Sequence, residues 1–87
     1  MKYHTLHMCN HAFIEDLGSY INMVSKNDAI VFYTINMTQA QSRYLISLFE
    51  SNDVYFIIKN NTEEVKTICS NQWLNLVNQY HSTMTWK

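Results

Sequence analysis

Apolar positions recur along the chain in two rhythms. AIVFYT at Ala29–Thr34 and VYFII at Val54–Ile58 are short, uninterrupted and rich in β-branched and aromatic residues, the pattern of strands covered on both faces. Three other stretches follow a 3.6-residue stripe and predict amphipathic helices: Phe13, Ile14, Leu17, Ile21 and Val24; Ala40, Tyr44, Leu45, Leu48 and Phe49; and Trp73, Leu76, Val77 and Tyr80. Their starts are marked by Asn10 as a cap with Glu15 and Asp16 near the positive end, by the capping-box spacing of Thr38 and Gln41, and by Ser70. Gly18 weakens the first helix slightly. Lys2–Leu6 predicts a short opening strand that ends near His7, and VKTIC at Val65–Cys69 a weaker fourth strand. SKND and ESND read as turns, and KNNTEE has room for at most one turn of helix.

The resulting order, β-α-β-α-β-turn-β-α, places helical segments between strands, which calls for right-handed crossovers and a parallel sheet. The expected architecture is α/β: a three-layer α/β/α sandwich around a small, mostly parallel sheet of about four strands. Eighty-seven residues make a single domain, residues 1–87, with one modest core.

Composition narrows the function. Six Lys and Arg against seven Asp and Glu provide no basic field for gripping a phosphate backbone, so direct nucleic-acid binding is not expected. Charged residues are 15% of the chain and hydrophobic ones 47%, too many to hide in so small an interior, which predicts subunit interfaces. Two cysteines sixty positions apart form no disulfide framework. With no signal-peptide pattern and no apolar run of about eighteen residues, a cytoplasmic chain with reduced thiols and no membrane partner is expected.

Candidate chemistry concentrates in YHTLHMCNHAF, Tyr3–Phe13, which holds three of the four histidines. On a strand, His4 and His7 point to opposite faces and cannot share an ion. Cys9 and His11 alone fall short of four zinc ligands, so no metal is expected. Cys9 lies just before the predicted first helix, where the dipole would favour a thiolate nucleophile with His7 and His11 nearby; the plainer reading is an ordinary loop cysteine. Cys69, ending an apolar run, reads as a small buried hydrophobe. A single glycine excludes GxGxxG and Walker loops, and GxSxG and HExxH are absent, so neither cofactor nor catalytic residue is expected. Trp73, Tyr80 and Trp86 are read as core and interface rather than as a base-stacking surface, since no basic residues interleave them. In the terminal MTWK, Met84 and Trp86 fall on one side of an extended tail, and both are expected to be buried as anchors, on the chain's own core or on a partner.

YHTLH, NDAIVFYTINMTQA, SRYLISL, VYFI and STMTW, in that order, resemble the DsrH-like family, and most closely its tRNA sulfur-relay branch. The likeness runs almost end to end. It implies the α/β/α fold of DsrEFH-like proteins and a non-catalytic subunit that joins TusC-like and TusD-like paralogues in a dimer of heterotrimers. It also implies that the complex exchanges sulfur with TusA-like and TusE-like carriers, for 2-thiolation of wobble uridine in tRNA. The sulfur-carrying cysteine then belongs to the TusD-like partner. Sulfur-oxidiser relatives carry a cysteine on the first helix, where this chain has Ser19 and Tyr20 in DLGSYINM, and the segment between Ile58 and Val65 is shorter than is usual in the family. The alternative is a persulfide carrier using Cys9, in sulfur transfer or sulfur oxidation.

Overall fold

The computed structural model describes residues 5–10, 17, 21–80 and 82–86. Among these residues, six elements follow in order: β1 (Thr5–Asn10), β2 (Ala29–Thr34), α1 (Gln39–Leu48), β3 (Asp53–Ile58), α2 (Ser70–Gln79) and β4 (Ser82–Thr85). The strands make one four-stranded sheet in the order β3-β2-β1-β4, parallel throughout, with Leu6 beside Ala29, Phe32 beside Phe56 and Met8 beside Thr85. The two continuous apolar runs became the two strands on one side of β1, and β2 is buried from Ala29 to Phe32.

Side chains alternate across the sheet and divide the core in two. Cys9, Ile30, Phe32 and Phe56 face a cluster completed by Leu17, Met37, Leu45, Phe49, Val65 and Trp86. Leu6, Ala29 and Val31 face the other, closed by Leu76 with Trp73, Val77 and Tyr80 packed against it. Each helix therefore serves a different cluster. Handedness explains this: the β2-to-β3 step moves outward and the β3-to-β4 step returns across the sheet, so crossovers of one hand deliver α1 and α2 to opposite faces.

Helix α1 starts where its capping box predicts. Thr38 Oγ1 accepts from the Gln41 N–H at 3.1 Å, and Gln41 Oε1 accepts from the Thr38 N–H at 2.9 Å. The expected first helix over 13–24 falls mostly outside the described residues; Leu17 and Ile21 are helical, and both pack on the first cluster with Val24.

Several expectations are corrected. The opening strand does not end near His7 but runs to Asn10, so Cys9 is a strand residue and not a loop residue. Val65–Cys69 is not a strand. Asn61 takes both backbone groups of Val65 with its side chain, at 2.7 and 2.9 Å, Val65 packs in the first cluster and Ile68 against the second, and one bond, Ile68 N–H to Phe56 O, reaches β3. The segment wraps around the edge of β3 instead of running along it, and it leaves Cys69 exposed as the N-cap of α2, not buried. The fourth strand is instead the C-terminal STMT, which pairs with β1 on the opposite edge. Met84 sits on this edge strand 39% exposed, against the expectation that it is buried along with Trp86.

Candidate functional site

Strand β1 carries His7 into the interior, where it is 1% exposed. The Trp86 indole N–H donates to His7 Nδ1 at 2.9 Å, and His7 Nε2 lies 2.9 Å from Asp28 Oδ2. An indole nitrogen can only donate, so Nδ1 must be the nitrogen without a proton. The network thereby assigns the ring proton to Nε2, which donates to Asp28.

Asp28, at the end of the SKND turn, gathers more than the histidine. Its Oδ1 accepts from the Thr5 N–H at 3.0 Å and its Oδ2 also accepts from the Ser25 N–H at 2.9 Å, while its own N–H donates to Ser25 O. Asn52, from the ESND turn, donates to the carbonyls of Ser25 and Asp28 at 2.8 and 2.9 Å. Burial pushes the Asp28 carboxyl up, but the N–H groups of Thr5 and Ser25 and then the His7 ring outweigh it, and the group is held below its ordinary value. One carboxylate thus ties the starts of β1 and β2 to the histidine.

Trp86 follows β4 and is 1% exposed. Its N–H donates to Met8 O at 2.9 Å, extending the ladder with β1, and its ring lies over the first cluster. It meets Phe32 edge-on at 6.2 Å, Phe49 at 6.1 Å and His7 at 5.6 Å between centroids. Of the two docking roles open to this tryptophan, the one observed is closure of its own domain's core.

A histidine between an aspartate and a second partner has the layout of a general base, yet both ring nitrogens here end on protein groups and neither faces solvent. The arrangement positions; it offers no free nitrogen to a substrate. Cys9, two residues along the same face of β1, is fully buried, its Sγ donates to Asn10 O at 3.3 Å, and burial pushes the thiol up to about 12. That is the reverse of the electropositive, accessible setting a thiolate nucleophile needs. Two-phase labelling is therefore expected: an aromatic disulfide reagent modifies Cys69 in the folded chain and Cys9 only on unfolding in urea. Rapid labelling of a folded Cys69→Ser chain would contradict this burial.

His4, His11 and His81 lie outside the described residues, and so do Ser19 and Tyr20. Among the described residues, no three His, Cys, Asp or Glu side chains are placed to hold a metal ion. Among them also, no helix is long and apolar enough to cross a membrane. A mostly apolar groove of about 360 Å³ lies at the open edge of β3, between Ile46 of α1, Val54–Phe56 and Lys66–Ile68.

Sequence reasoning weighed His7 as half of an HxxH pair and as a neighbour of Cys9, and Asp28 only as a turn residue. The signal present was an aspartate immediately before a buried strand, a position where its carboxylate can reach the first N–H groups of a neighbouring strand. No family model, curated protein or solved structure matches the chain.

Proposed function

We propose that the chain is a TusB-like, non-catalytic subunit of a cytoplasmic sulfur relay complex serving 2-thiolation of wobble uridine in tRNA, with the transferring cysteine on a TusD-like partner. The observation that carries this reading is where the resembling pieces fall. YHTLH enters β1, NDAIVFYTINMTQA covers β2 and the cap of α1, SRYLISL lies on α1, VYFI in β3, and STMTW is β4 with its buried tryptophan. The likeness thus falls mainly on the strands and on helix α1.

Two further features support a role in assembly. Ile35, Tyr44, Ile46 and Leu74 remain 63, 56, 48 and 60% exposed, large apolar side chains of the kind subunit contacts cover. Cys9 lies where no carrier protein reaches it, which weighs against the alternative of a persulfide on Cys9.

Co-expression tests the proposal. Alone, the chain is expected to self-associate, and TusC-like and TusD-like subunits are expected to draw it into a defined assembly. In cells carrying that assembly, Cys9→Ser and Cys69→Ser are expected to leave tRNA thiolation close to normal. A well-behaved monomer indifferent to these partners overturns the assembly role. Loss of thiolation from Cys9→Ser with assembly intact overturns the non-catalytic one.

A further inference from the structure

Strand β4 ends the sheet beside β1, and among the described residues no strand pairs with its outer side. Which backbone groups it leaves open follows from alternation along the strand. The Trp86 backbone N–H donates to Met8 O, so Trp86 turns its main chain toward β1, and Met84 and Ser82, two and four positions before it, turn the same way. Thr83 and Thr85 therefore turn their N–H and C=O groups outward. We propose that β4 is a self-pairing edge: two copies of the chain join antiparallel through Thr83 and Thr85, about a twofold axis at Met84, into one continuous sheet.

The contrast between the two edges selects this one. On the far side, the 65–69 segment wraps around β3, Ile68 N–H occupies Phe56 O, and Asp53 and Lys66 place charges beside the strand. Strand β4 has none of these devices against edge pairing. STMT holds no charge and no proline, its register with β1 runs without a bulge from Ser82 to Thr85, and all four side chains are exposed.

Self-complementarity selects the partner. A twofold axis perpendicular to the sheet sets residues of one face opposite residues of the same face, and outward groups opposite outward groups. A register centred on Met84 meets both conditions: Thr83 of one copy faces Thr85 of the other, and each such pair exchanges two N–H to C=O bonds. Centred on either threonine, fewer groups within the strand would pair. Met84 then meets its own counterpart on the face it shares with His7, as the closely spaced kind of pair, so two exposed thioethers cover each other. Isologous pairing brings a strand against itself, where any charge would meet its like; this strand carries none. The pairing belongs to the chain alone and stands apart from the sulfur-relay reading.

Directed cross-linking of the full chain tests it, with Cys69→Ser removing the exposed thiol. Met84→Cys is expected to form a covalent dimer with diamide as the oxidant, because a pair about 4.5 Å apart between Cα atoms falls within the span of about 4.4–6.8 Å that a disulfide bridges. Ser82→Cys lies on the same face but about 14 Å along the strand from its counterpart, and is expected to stay uncrosslinked. Sedimentation equilibrium without oxidant reads the contact directly. Met84→Lys sets like charges together at the axis, and Thr83→Pro removes an outward donor while leaving the ladder with β1 whole; each is expected to raise the dimer dissociation constant about tenfold or more. A Met84→Cys chain that stays monomeric under diamide overturns the pairing. So does a Ser82→Cys chain that cross-links to the same extent, the mark of association through the exposed apolar side chains elsewhere, or a folded Met84→Lys chain that dimerises as tightly as the wild type. Should Thr83→Pro not fold, the cross-linking pair and Met84→Lys decide.

Discussion

Trp86→Ala is expected to cost about 3–5 kcal/mol, the range for truncating a buried aromatic, and to leave the chain largely unfolded in mild urea. Small domains have little to spare, with total stabilities of about 5–15 kcal/mol and the low end typical of chains this short. The effect is large because one side chain serves three structures at once. Its ring fills the space among Phe32, Phe49 and His7, its indole satisfies a buried imidazole nitrogen, and its backbone N–H holds the last rung beside Met8. Trp86→Phe separates these roles: most of the volume stays, the hydrogen bond to His7 is lost, and about 1–3 kcal/mol is expected. Urea denaturation of the isolated variants measures both. A Trp86→Ala chain within about 1 kcal/mol of the wild type would remove the tryptophan from the core.

Asp28→Ala is expected to cost about as much, roughly 3–5 kcal/mol, because three buried or half-buried donors lose their acceptor together: the Thr5 and Ser25 N–H groups and His7 Nε2–H. Asp28→Asn keeps the shape but replaces one oxygen by an NH2 group, so at least one of these donors meets another donor; about 2–3 kcal/mol is expected. The pH dependence has a definite sign. The folded carboxyl lies below its ordinary value, so its contribution is complete above the unfolded value of about 3.9 and drains away as pH falls through the folded one. Wild type should therefore lose stability over that acid interval more steeply than Asp28→Asn, in parallel denaturation series. Equal slopes would mean that Asp28 is not the anchor.

Both variants also bear on the proposed function. Trp86 and Asp28 hold the domain together, so their loss should lower the amount of assembled complex through the fold. Exposed residues such as Tyr44 and Ile46 should affect partner binding while leaving the chain folded.

Much of the framework was legible along the chain because it is encoded locally. AIVFYT became β2 at the predicted residues, VYFII became β3 with Asp53 added, and the Thr38–Gln41 spacing became a capping box, since continuous apolar runs and cap geometry depend on near neighbours. What came out differently depends on residues far apart. STMT carries too few apolar side chains to announce a strand; it is one because β1 presents an open edge and Trp86 docks 79 positions from His7. VKTIC has the apolar character of a strand and is not one, because Asn61 takes both backbone groups of Val65 and one bond, Ile68 N–H to Phe56 O, reaches β3. Cys9 sits in sequence among histidines and before a predicted helix, which left a reactive thiol open beside the plainer reading of a loop cysteine; the packing of β1 against Phe32 and Trp86 made it an inert strand residue. Sequence by itself determined the α/β class, the runs that became β2 and β3, and helix α1, because periodicity and capping are short-range. Only the tertiary structure decided the edge strand, the buried Trp86–His7–Asp28 relay and the state of the thiol, because burial and hydrogen-bond partnership are set by which distant segments the sheet brings side by side.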